Sequence, residues 1–127
     1  MPAHRTFENP PVPPRDVLAE TLERALRDPS WEGEAARVLV GAALGDEDGA
    51  FVEHWCVRVG TRARSGSPLL GLAGLCLGHT ARRFGRLGDE AVALARSLAA
   101  RSEADPSDVD GRALDGYDDV RSFLRLW

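Results

Sequence analysis

Apolar residues recur along most of the chain at spacings of three and four, the signature of helices that each bury one face. Leu18, Leu22, Ala25 and Leu26 open the pattern, with the start at Asp16 or at the Pro14-Arg15 step and the end at Asp28-Pro29. A second helix carries Ala35, Val38, Leu39, Ala42 and Ala43. Ser30 is its expected N-cap, and Glu32 and Glu34 sit in the first turn, where the helix dipole favours acids. Gly45-Asp46 breaks it, and Asp46 or Asp48 can cap a third helix bearing Phe51, Val52, Trp55, Cys56 and Val59. Ser67 and Pro68 then form an N-cap followed by proline at the first helical position. This fourth helix runs to about Phe84, with Gly85 placed to end it. Gly88-Asp89 starts a fifth, carrying Val92, Leu94, Ala95 and Leu98. After the turn at Ala104-Asp105-Pro106-Ser107, a sixth helix holds Val109, Ala113, Tyr117, Val120 and Leu124.

No stretch alternates as a strand does, so the expected fold class is all-α. Trp55, Leu72, Leu75, Leu77, Leu98, Val120 and Leu124 are the expected core. The short connections predict antiparallel neighbours. Gly41-Ala42-Ala43-Leu44-Gly45 returns as Gly74-Leu75-Cys76-Leu77-Gly78, an echo that suggests stacked helical hairpins. Gly71, Gly74 and Gly78 share one side of the fourth helix. Each costs about 1 kcal/mol relative to Ala, so either another helix passes close there or the run reflects a genomic bias toward glycine. Residues 1–14 read differently. Their prolines, ending in Asn9-Pro10-Pro11-Val12-Pro13-Pro14, favour an extended segment, loose or laid along a helical domain spanning 15–127.

Composition narrows the function classes. The 127 residues suit one domain. Sixteen basic residues, all Arg, against twenty acidic ones give a net charge of -4, which argues against sequence-blind nucleic-acid binding. The absence of Lys, Ile and Gln fits the codon bias of a GC-rich genome. Cys56 and Cys76 lie in apolar stretches and read as free thiols of a reducing compartment. Arg5 is followed by no apolar run, so no secretory leader is expected. The run from Pro68 to Gly78 is too short for a membrane span. A cytoplasmic protein is the expectation.

Several motifs begin and then fail. His54, Cys56, Cys76 and His79 suggest zinc, but two residues on a helix are about 200° apart, so His54 and Cys56 point away from each other. Asp105 to Gly111 resembles a calcium loop, yet aligning Gly111 puts Pro106 and Tyr117 at ligand positions. Thr80 to Leu94 resembles a helix-turn-helix, but Asp89 and Glu90 would face the phosphates. That leaves a DNA-binding regulator as a minor alternative. No nucleophile elbow, phosphate loop or metalloprotease motif occurs. No catalytic residue, metal or cofactor is therefore expected, and the chain is not read as an enzyme. His79 and Arg82, three residues apart, are expected to be structural, tying the fourth helix to carboxylates of the sixth.

What stands out is acidity. Asp108, Asp115, Asp118 and Asp119 project from the sixth helix, and Asp46, Glu47 and Asp48 cluster in a turn. Together these seven are candidates for a surface that meets a basic protein, where complementary charge speeds encounter. A solvated helix face is the plainer reading. Trp31 and Trp127 are candidate aromatic anchors.

Three segments, Trp31 through Leu44, Leu77-Gly78-His79-Thr80-Ala81-Arg82 with its continuation to Leu87, and Gly111 through Leu124 with Asp118-Asp119 and Phe123-Leu124, together resemble small HEAT-like bacterial proteins of the polymorphic-toxin immunity type. The family pattern is Leu-Gly-His-x-Ala-Arg and, near the C-terminus, Asp-x-x-Asp-Asp-Ile-x-x-Phe-Leu. Gly71 departs from it where an Arg often opens the fourth helix, and Val120 replaces Ile. The resemblance covers residues 16–126. It implies a short α-solenoid of about six helices and a non-catalytic protein that neutralises a toxin domain by binding it. A HEAT-like scaffold or adaptor is the alternative. Oligomeric state is left open.

Overall fold

The computed structural model describes residues 9–126, and these form six α-helices with no strand. They are α1 (Arg15–Ala25), α2 (Glu32–Gly45), α3 (Gly49–Arg62), α4 (Pro68–Phe84), α5 (Asp89–Ala104) and α6 (Arg112–Leu124). The all-α expectation holds, and the local signals explain most boundaries. Asp48 caps α3 by accepting the Phe51 N–H, and Ser67 Oγ accepts the Leu69 N–H ahead of Pro68. Gly85, at φ 70°, ends α4 in the left-handed region that glycine enters without a Cβ penalty.

Two boundaries differ from expectation. Ser30 does not cap α2. Asp28 accepts the Ser30 N–H and starts a 3₁₀ turn, Pro29–Trp31, from which α2 continues. Val109 lies ahead of α6, buried in the turn that leads into it.

Side-chain contacts fix the helix directions. Arg15 at the start of α1 reaches Asp46 at the end of α2, and Gly49 at the start of α3 meets Phe84 at the end of α4. The pairs α1–α2, α3–α4 and α5–α6 are thus antiparallel hairpins. Like members of successive hairpins run parallel. Glu32 and Ala43 of α2 meet Ser67 and Arg83 at the corresponding ends of α4. Gly71, Gly74 and Gly78 of α4 meet Asp110, Ala113 and Gly116 in order along α6. The hairpin turns are also linked. Glu32 accepts from Arg64 and Ser67, and Asp108 accepts from Ser65.

Helix α4 lies at the centre, packed against α2, α3, α5 and α6. Its glycines do what their positions suggest. A methyl on Gly116 would overlap the carbonyl oxygen of Gly74, and one on Gly74 would come within 3.1 Å of the Ala113 backbone. The echoed segment of α2 is not a structural copy, because Leu44 is half-buried where Leu77 is fully buried. Its glycines instead admit the leading segment, with Pro11 against Gly41 and Val12 against Gly45. Of the expected core, Trp55, Leu72, Leu77, Leu98 and Val120 are buried, whereas Leu75 and Leu124 are only half-buried. Cys56 and Cys76 are buried free thiols. Among the described residues, no helix is long and apolar enough to cross a membrane.

Candidate interaction face

The seven candidate carboxylates fall into two groups. Three have their charge engaged within the chain. Asp46 is buried and accepts the Asp48 N–H at 2.8 Å and Arg15 at 3.4 Å. Asp48 caps α3 and pairs with Arg15 at 3.2 Å, and the Phe51 N–H is the main cause of its lowered pKa. Arg15 also lies 4.0 Å over the Phe51 ring, which fixes the cation in place. Asp108 accepts two 2.8 Å bonds from Arg101 and one of 2.6 Å from Ser65. Those donors stabilise the carboxylate and hold its pKa down to about 2. These residues organise turns, so the charge predicted at Asp46, Asp48 and Asp108 is largely neutralised.

The second group is free of such ties. Glu47, Asp115 and Asp118 are exposed, and Asp119 is half-buried; none donates to or accepts from another described side chain. Glu47 lies in the α2–α3 turn, between the engaged Asp46 and Asp48. Asp118 lies toward α5, lining a groove with Arg96 and Arg121. Asp115 and Asp119 share another stripe of α6, and Phe123 continues it one turn further. Phe123 is 47% exposed, the largest value among the exposed large apolar side chains.

Beside this stripe runs the outward side of α4, with Leu75 and His79 half-buried and Arg82 exposed. The close approach at Gly78, where a methyl would lie 3.0 Å from the Asp119 Cβ, makes the two stripes one face. The expected tie from Arg82 to an α6 carboxylate is absent. Arg82 instead donates to His79 Nδ1 at 3.2 Å, which requires a neutral imidazole there. Burial and the Arg82 charge lower the His79 pKa, against an opposing pull from Asp119. Asp119 of α6 thus acts on His79 across the face.

Trp31 is half-buried with Arg24 4.6 Å over its ring, so it is an anchored residue and not a free aromatic. Trp127 and His4 lie outside the described residues. Asp89 and Glu90 are exposed in the first turn of α5, where a recognition helix would meet phosphates. No group of three or more His, Cys, Asp or Glu able to hold a metal occurs among the described residues. Sequence reasoning missed Phe123 as a surface residue. The signal was present, because Phe123 falls outside the Ala113–Tyr117–Val120–Leu124 seam. Comparison of the chain with protein-family models, with curated proteins and with solved structures gives no match.

Proposed function

We propose that this chain is a non-catalytic protein-binding module of HEAT-like solenoid build, acting in the cytoplasm as an immunity protein that covers a basic toxin domain. The observation that carries the reading is the α4–α6 face, where Asp115, Asp119 and Phe123 follow one another along one stripe of α6. An exposed aromatic beside uncommitted carboxylates is the chemistry of an interface anchor with electrostatic steering. Nuclease toxins carry positive surface for the phosphate backbone, and an acidic cover can occupy it. The stacked hairpins and the resemblance of Leu77–Arg82 and Gly111–Leu124 to immunity proteins support the same reading.

The test is protection. The product of the adjacent gene is expressed in a host alone, with this chain, and with its Phe123→Ala and Asp115→Asn/Asp119→Asn variants. The wild-type chain should restore growth, and the variants should do so poorly at equal abundance. Binding to that product without any growth phenotype would favour the scaffold or adaptor reading. No binding at all would remove the immunity assignment.

A further inference from the structure

The chain has two cysteines, twenty residues apart, and the fold brings both to one place in the core. Cys56 lies on α3 and Cys76 on α4, and each is wholly buried as a free thiol. The register of the second hairpin puts them face to face. Gly49 of α3 meets the Phe84 ring, and a methyl on Gly60 would lie 3.3 Å from the Ala73 Cβ. The eleven steps from Gly49 to Gly60 thus run against the eleven from Ala73 to Phe84. Cys56 is one turn from Gly60 and Cys76 one turn from Ala73, on the facing stripes.

The two sulfur atoms are in contact. The Cys56 S–H donates to the Cys76 sulfur, and that bond together with burial holds the Cys56 thiol well above its usual range. A disulfide needs Cβ atoms about 4 Å apart, and the two helices come close enough for that one turn away, at Gly60 and Ala73. Buried cysteines ordinarily serve as small apolar filler. Filler requires no sulfur neighbour, whereas a reversible cross-link requires this one.

We propose that Cys56 and Cys76 are a redox latch, closed by hydrogen peroxide into a disulfide that ties α3 to α4. One sulfur attacks a peroxide oxygen and the O–O bond breaks. The thiol proton leaves with the departing hydroxide as water, and a sulfenic acid remains. The second sulfur displaces that hydroxyl, the S–S bond forms, and the second thiol proton leaves with it as another water. The two thiols lose two electrons and the peroxide gains them. Peroxide is small enough to reach the pair through local opening of the core, whereas a bulkier disulfide would have to build a mixed disulfide inside it. Buried, protonated thiols react slowly, so the latch answers sustained oxidation. Closure restricts the unfolded chain and so stabilises the fold. None of this depends on what the α4–α6 face binds.

The experiment treats the folded full chain, and the same chain unfolded in urea, with hydrogen peroxide. The readout is the mass of the tryptic peptides that carry the two cysteines, digested without reductant. In the folded chain, residues 38–58 should be joined to residues 65–82 in a species lighter by two hydrogens than the separate peptides, and dithiothreitol should restore both. The closed chain should remain a monomer and melt higher by roughly 5 °C or more. Cys56→Ala and Cys76→Ala should each abolish that rise, with far-UV helicity checking that the variants fold. Cysteines of the folded chain that gain oxygen instead, that pair between chains, or that stay reduced once those of the unfolded chain are oxidised, overturn the inference. So does a closed chain that melts lower than the reduced one.

Discussion

Two glycines in this chain separate close packing from simple helix propensity. Gly116 lies against the Gly74 carbonyl, whereas Gly33 has nothing within 4 Å of where a methyl would go. Gly116→Ala should therefore destabilise the protein by about 1–3 kcal/mol through overpacking, despite the better helix former. Gly33→Ala should be neutral or stabilising by up to about 1 kcal/mol. Denaturant midpoints of the two variants read the contrast directly. The carboxyl of Asp108 carries a different signature. Its folded pKa is about 2, below the ordinary 3.8, so its stabilisation is complete above the higher value and is lost as pH falls through the lower. Asp108→Asn should flatten the stability profile in that acid window and leave its shape near neutrality unchanged. His79 acts at a higher pH. Its folded pKa lies below 6.5, so the unfolded chain takes up the proton first and stability falls as pH drops through 6.5. His79→Gln should remove that slope, and urea titrations at several pH values check it.

At the scale of elements, α4 is the member that touches most of the others, and Leu77 at its centre is fully buried. Leu77→Ala should cost about 2–5 kcal/mol. Ser67→Ala removes both the α4 cap and the bond to Glu32 of α2, and should cost about 1 kcal/mol. The elements themselves were readable because caps are local. Asp48, Ser67-Pro68 and Gly85 act on backbone groups within a few residues. Where the sequence misled, a nearby competitor decided the outcome. Asp28 took the Ser30 N–H and shifted the start of α2. The acidic clusters misled for a related reason. Arg15 and Arg101 neutralise three of their members, and whether an arginine folds over a carboxylate depends on tertiary packing that spacing does not reveal. Phe123 lay one step off the apolar seam, and only the packing of α6 on α4 shows that it stays 47% exposed among the described residues.

For the whole molecule, the described surface offers carboxylates and an exposed aromatic on one face. The functional claim is that this face binds a basic protein. On that proposal, steering by the uncommitted carboxylates would act on the association rate and weaken as salt rises, whereas Phe123 would set how long the complex lasts. The most direct test is the association and dissociation rate of this chain with the adjacent gene's product, measured against ionic strength. The account predicts an association rate that falls steeply with salt and is slowed at low salt by Asp115→Asn with Asp119→Asn. Phe123→Ala should mainly speed dissociation. An association rate indifferent to salt and to both Asn changes, with dissociation unaltered by Phe123→Ala, would contradict it.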